Sequence, residues 1–421
     1  MKFQYNRDYI NSHKGLIESF LSLSVLNGIN ILLPLITLPY LVRTIGLAKF
    51  GAYSIVYIVL QYVLLISTYG FHYTTTKQIA QNRDNIDFVS IIFHSTIIAR
   101  FVISMPALIV GLLFVYFVYP LDYLWMYVGG IGLILGDIIN PVWLFQGYEK
   151  MRYMTYANLI CKLFFTILIF LFIQSEEDYI YITLLNSAGY VAAGIITLII
   201  SYRIFHLKLV RIMIVDVIFQ IKEGWSIFLS TVFMTLYRNS NIFILGFFVS
   251  DYCVGLYSTA ERVIKAVQSL IAPVSNALFP YYAASFKEND VSYNSKRVIS
   301  LSKKLFYVLL LLSIAVVATS DIINTIISNG TDKRITYLIC LMTPVICIGG
   351  INYILGIVGL VNLGFNTRFL KYVTISGLVS LTFLITTVPM GGVYSASISM
   401  VLAEMVLFIL CYRKVKKIAL T

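Results

Sequence analysis

The chain has 421 residues, 59% of them hydrophobic and only 12% charged, with a formal charge of +12. Soluble domains run at about 45–50% apolar and about 25% charged residues, so a soluble globule is excluded. In a soluble protein the basic excess would suggest nucleic acid. Here it fits the basic cytoplasmic loops of a polytopic membrane protein, and no nucleic-acid partner is expected.

The first fifteen residues are polar (Lys2, Arg7, Asp8, His13, Lys14) and precede a span too long for a signal h-region, so no cleavable leader is expected. A transmembrane helix needs about 20 apolar residues. About twelve such stretches follow: Leu16–Ile45, Phe50–Tyr73, Phe88–Tyr119, Tyr123–Phe145, Tyr153–Ile173, Tyr179–Ile204, Ile214–Val249, Val254–Ala284, Leu305–Ile326, Tyr337–Leu363, Phe369–Val388 and Val393–Tyr412. Basic residues collect in every second gap. Lys2, Arg7 and Lys14 precede the first span. Lys77 and Arg83, then Lys150 and Arg152, then Arg203, Lys208, Arg211 and Lys222 follow. Lys287, Lys296, Arg297, Lys303 and Lys304, then Arg368 and Lys371, and finally Arg413, Lys414, Lys416 and Lys417 complete the set. The intervening gaps hold only Arg43, Lys49, Lys333 and Arg334, beside Asp122, Glu176, Glu177, Asp178 and Asp251. A bias of 22 to 4 places both termini in the cytoplasm and requires an even number of spans.

No gap is long enough for a soluble domain. No Gly-rich loop ends in Lys-Ser/Thr, so neither ATP hydrolysis nor a cofactor is expected. Cys161, Cys253, Cys340, Cys347 and Cys411 form no CxxC and read as small core residues. Phe50-Gly51-Ala52-Tyr53 and Val254-Gly255-Leu256-Tyr257 echo each other six spans apart. An even separation implies parallel halves, at 1–210 and 211–421, a transporter design that places the substrate site between them.

Five basic residues fall inside the spans: Arg100, Lys162, Arg238, Arg262 and Lys265. Each costs about 2.5–3.5 kcal/mol at a helix centre, so they are expected to face a watery interior or to pair with Asp137, Glu261 or Glu404. Lys162 lies nearer the cytoplasmic half and reads as a snorkelling residue. Arg262 and Lys265 share one helix face, and Glu261 stands four residues before Lys265 in the favourable order. Arg238 sits in a polar run, Tyr237-Arg238-Asn239-Ser240-Asn241. In the first span Asn27, Asn30, Pro34 and Thr37 fall near one face, and the span ends in Pro39-Tyr40-Leu41-Val42-Arg43. His72 and His94 have no identifiable partners in the sequence. A positive interior suits an anionic or pyrophosphate-bearing substrate, because Arg matches phosphate oxygens with a planar fork.

Asn30-x3-Pro34-Leu-Ile-Thr-Leu-Pro39-Tyr40-Leu-Val-Arg43-Thr-Ile-Gly46-x3-Phe50-Gly51 resembles the opening signature of bacterial polysaccharide repeat-unit flippases, the Wzx-type O-antigen translocases. Tyr69-Gly70-Phe71, Gly255-x-Tyr257-x2-Ala260-Glu261-Arg262 and Pro280-Tyr281 extend the resemblance. It implies the fold of the multidrug/oligosaccharidyl-lipid/polysaccharide superfamily: an all-α integral membrane protein, with two six-helix bundles forming a MATE-like V around a central cavity. It implies movement of undecaprenyl-diphosphate-linked oligosaccharide between leaflets, a transport role rather than an enzyme's. The polymerase and chain-length regulator of the same pathway are then possible partners, beside membrane lipid. On this resemblance Arg43, Arg100, Arg238, Arg262 and Lys265, with Asn30, are the expected substrate contacts. Asp137, Glu261 and Glu404 are candidates for ion coupling.

The competing readings are weaker. A drug or cation exporter of the same superfamily should carry an acidic cavity. A lipid-linked peptidoglycan-precursor flippase often has two further spans. A membrane repeat-unit polymerase should show a large external loop bearing catalytic charges, and every external gap here is short.

Overall fold

The computed structural model of the chain describes residues 14–420, save 272–273, 276–277, 279–281 and 283–289, with side chains from 28 onward save 233 and 236–238. Pro280 and Tyr281 therefore lie outside the described residues. What is described is helical nearly throughout, with no strand. In lipid this is expected, because an intra-helical ladder satisfies every backbone group that water cannot reach.

The helices run α1 (Lys14–Thr68), α2 (Phe71–Gln81), α3 (Ile86–Val118), α4 (Leu121–Ile139), α5 (Val142–Gly147), α6 (Met151–Phe172) and α7 (Tyr181–Phe205). They continue with α8 (Ile214–Phe248), α9 (Asp251–Ser269), α10 (Val291–Ala318), α11 (Ser320–Ser328), α12 (Arg334–Met342), α13 (Pro344–Tyr353) and α14 (Asn366–Leu420). A π-helical turn, Ile354–Val361, follows α13. Among the described residues eight spans are long and apolar enough to cross a membrane. Two of them contain a break that separates two crossings. α1 leaves helical geometry at Gly46 (φ 74°, ψ 166°) and α14 at Gly392 (φ 51°, ψ −129°). Both have positive φ, where glycine alone is free of a Cβ penalty. Across the second break the Ser380 and Ser399 hydroxyls stand 2.8 Å apart, so the two legs of α14 run side by side as a hairpin. With α8 and α9, these crossings account for the dozen expected.

The chain forms two compact units. Unit 1 takes the described residues up to Pro34 with Val56–Val232; unit 2 takes Leu35–Ile55 with the residues from Phe233 on. The boundary is not the single one expected at residue 210. The first residues of α8 stay in unit 1, where Val217, Ile212 and Ile221 pack on Tyr69, Phe71 and Ala99. The chain enters and leaves unit 2 once within α1, which is why α1 must reverse at Gly46. In unit 1 a stripe of small residues, Gly129, Gly132 and Gly136 on α4, seats Thr183, Ser187 and Tyr190 of α7. Such stripes let membrane helices approach closely enough for dispersion to hold them. In unit 2 Cys347 and Cys411 are buried among Ile351, Leu355 and Leu407 as ordinary core residues.

Two further breaks position the site. Tyr69 adopts a left-handed conformation (φ 53°), so the second span stops there and α2 starts as a separate helix. α4 stops at Asn140 and Pro141, ahead of the short α5. Proline has no N–H to give, and the carbonyls before it need other donors.

Candidate functional site

Within unit 1 the faces of α2, α4 and α6 surround a cavity of about 660 Å³. α2 contributes His72, Tyr73, Thr76, Lys77 and Ala80, residues that recur at helical spacing on one face. α1 adds Asn30 and Leu64, the end of α4 adds Asp137 and Asn140, and α6 adds Asn158 and Lys162. Tyr190 of α7 and Gln146 of α5 complete the polar lining.

Lys162 is the centre of this arrangement. Its ammonium donates to Asn30 Oδ1 and stands 4.8 Å from the Tyr190 ring centroid. An amide oxygen and a ring face both stabilise a cation without neutralising it. Lys77, exposed on the same wall, makes no ion pair among the described residues. His72 Nδ1 is buried with no hydrogen-bond partner among them. Thr76 donates to Gln146 Oε1 at 3.2 Å, and Thr197 to Asn140 Oδ1 at 3.1 Å. These bonds fix two amide side chains with their NH₂ groups still available.

Among the described residues Asp137 supplies the only carboxylate on this wall, and its charge is matched from behind. Arg100 is wholly buried and donates through Nη2 to Asp137 Oδ2. Its Nη1 serves the Asp137 carbonyl at 2.6 Å and reaches the Ile138 carbonyl at 3.4 Å, both freed by the Pro141 break. Its Nε takes the Ser67 carbonyl at 3.0 Å, and Trp143 lies beneath the guanidinium at 5.1 Å. Arg100 therefore holds a broken helix together and is closed to the cavity, against the substrate contact expected for it. With Asp137 neutralised by Arg100, Lys77 and Lys162 leave the cavity positive.

The other expected site residues are placed apart from this cavity. Arg43 donates to the carbonyls of Thr325, at 3.0 Å, and Ile326, in the last turn of α11, where backbone acceptors run short of helical donors. Arg262 lies over Phe50, at 4.6 Å, and Tyr53, at 5.5 Å. Glu261 is buried, pairs with Lys265 at 3.1 Å and accepts from the Tyr257 hydroxyl at 3.3 Å. Lys265 also reaches Asn239 Oδ1. Glu404 accepts from Asn352 at 2.6 Å and from Gln268 at 3.4 Å. Arg238 lies on α8, and its side chain is outside the described residues. Of the residues expected from the sequence, the structure brings Asn30 and Asp137 to the cavity. It adds Lys162, Lys77 and His72, which in the sequence read as a snorkelling residue, a loop residue and a histidine without an identifiable partner.

Comparison with known proteins agrees with this architecture. Residues 16–286 match the family model described as "Polysaccharide biosynthesis protein". An Escherichia coli (strain K12) protein named as a candidate O-antigen transporter is 28% identical over 404 residues, 94% of this chain and 95% of its own length. A Shigella dysenteriae protein of the same name is 26% identical over 66% of this chain and 69% of its own. Among solved structures, the lipid II flippase MurJ in an inward closed conformation superposes with a TM-score of 0.73 at 14% identity, over 96% of this chain and 90% of that one. An inward-facing multidrug resistance MATE family transporter superposes with a TM-score of 0.69 at 13% identity, over 92% and 98%. The fold is that of a MATE-like, multi-pass membrane transporter. The chain belongs to the polysaccharide biosynthesis protein family.

Proposed function

We propose that this protein is a flippase that carries undecaprenyl-diphosphate-linked oligosaccharide repeat units, of O-antigen or a related surface polysaccharide, from the cytoplasmic to the outer leaflet of the bacterial inner membrane. The observation that carries the reading is the unit 1 cavity, with two cations that make no salt bridge among the described residues. Lys77 and Lys162 suit a diphosphate. Asn140, Gln146 and Asn158 suit sugar hydroxyls. The lipid tail would stay in the bilayer while alternating access carries the head group across. The polymerase and chain-length regulator would receive the product. Asp137, Glu261 and Glu404 are each already engaged by a cation or amide, which makes them counter-ions before they are coupling sites.

The test is deletion of the gene in its host, with analysis of lipid-linked sugars and surface polymer. Complete repeat units trapped on the cytoplasmic face, with surface polymer lost, support translocation. Single units delivered outside but unpolymerised would mark the protein as a polymerase, and normal surface glycan would reject both. Complementation with Lys162→Ala should lower surface polymer by about 10- to 100-fold, the range for a lost charge-assisted hydrogen bond. Lys162→Arg should restore part of it. Full activity of Lys162→Ala would remove the cavity from the mechanism.

A further inference from the structure

The basic end of unit 2 carries cations that make no ion pair among the described residues. α10 begins beside the end of α14, where the Ser292 hydroxyl donates to the Ala419 carbonyl at 3.0 Å. Through the whole of α10 there is no acidic residue, and through α14 only Glu404, which is engaged with Asn352 and Gln268. At this end the half-buried Phe365 ring takes two cations at once. Lys414 Nζ lies 4.6 Å from its centroid and Arg368 Cζ 5.7 Å from it. Arg368 and Lys417 both repel the Lys414 ammonium. No carboxylate pairs with Arg368 or Lys414 among the described residues.

An aromatic face stabilises a cation but leaves its charge intact. Two like charges on one ring repel each other, and an anion between them would relieve that repulsion. The position restricts which anion. Both cations stand where an apolar hairpin long enough to cross a membrane ends, which is where a bilayer would put its headgroup phosphates. Basic clusters at that depth attract anionic lipid headgroups, each Lys or Arg adding to the affinity. We propose that Phe365, Arg368 and Lys414 form a binding site for the headgroup phosphate of an anionic phospholipid. This site is distinct from the unit 1 cavity and independent of what that cavity carries. Its role would be to seat the basic end of unit 2 against the charged membrane surface. A solvated basic face alone would need neither the shared ring nor the lack of an ion pair to Arg368 and Lys414 among the described residues.

The experiment uses the full-length protein in detergent, with native mass spectrometry after addition of phosphatidylglycerol or phosphatidylcholine. The wild type should retain phosphatidylglycerol at least about 10-fold better. Arg368→Gln with Lys414→Gln should lose that preference by roughly 10- to 30-fold, two cations' worth of attraction. Arg368→Lys with Lys414→Arg should keep most of it, which separates loss of charge from loss of fold. Lys303→Gln with Lys304→Gln, off the ring, should keep the preference. Equal retention of the two lipids by the wild type overturns the site, as does an unchanged preference in the Gln double variant. Displacement of the lipid by millimolar inorganic phosphate would also overturn it, because the site would then answer to free phosphate rather than to a lipid.

Discussion

Arg100 and Lys162 are both basic residues inside apolar spans, yet their surroundings give them opposite work. Arg100 spends its donors on Asp137, on the carbonyls before Pro141 and on Ser67, and no face of it is exposed. Lys162 has one amide oxygen and one ring, and opens onto the cavity. Sequence could price each charge but could not orient it. The Lys162 partner is 132 residues away, and the carbonyls that claim Arg100 are free only because a helix breaks. Asn30 and Asp137 were legible because each is a polar residue in an apolar run. Lys77 was hidden by standing where a loop was expected. The two cations should therefore separate by experiment. Arg100→Ala leaves Asp137 unpaired at the cavity wall, and breaking a buried pair costs about 3–5 kcal/mol. Its purified form should melt well below the wild type, whereas Lys162→Ala should melt near it and fail in transport. A stable Arg100→Ala protein that has lost only transport would instead return the guanidinium to the substrate.

At the scale of elements, the echo between Phe50-Gly51-Ala52-Tyr53 and Val254-Gly255-Leu256-Tyr257 becomes a contact. The two segments cross within unit 2. A Cβ on Gly51 would run into the Asp251 carbonyl, and one on Gly255 into the Leu47 carbonyl. The Ser54 hydroxyl donates to Ser258 Oγ at 3.1 Å, with the same offset in sequence as the glycine pair. One spacing thus relates three contacts, as a local two-fold relation would. The sequence showed the glycines repeating but not that each is required because the other helix lies against it. Backbone cannot yield as a flexible side chain does. Gly255→Ala should cost about 1–3 kcal/mol, the range for overpacking. Gly28→Ala on α1, with open space around it, should be neutral or stabilise by up to about 1 kcal/mol, since alanine is the better helix former. Melting in detergent distinguishes the two. Equal melting would mean the crossing is loose. The breaks at Tyr69 and Asn140–Pro141 escaped hydropathy because an apolar run reads the same whether or not its backbone is continuous.

For the whole molecule the number of crossings and the class were legible, because both follow from what lipid demands of a backbone. Packing was not. The sequence cut the chain once, at 210, while the structure passes residues 35–55 into unit 2 and keeps 211–232 in unit 1. Orientation rests on charge alone. A ratio of 22 basic residues to 4 is far beyond what loop-by-loop chance produces, and translocation of Lys and Arg is what the membrane resists. The proposed direction of transport depends on it, since a repeat unit assembled inside must meet the basic end of the protein first. A fluorescent protein fused after Thr421 should therefore glow, and alkaline phosphatase at the same point should be inactive. Phosphatase inserted at Glu177, between α6 and α7, should be active. The opposite pattern would turn the chain over in the membrane. The basic face formed by α10 and the end of α14 would then point outward, and a flippase loading from the cytoplasm would have to take its substrate from the acidic end.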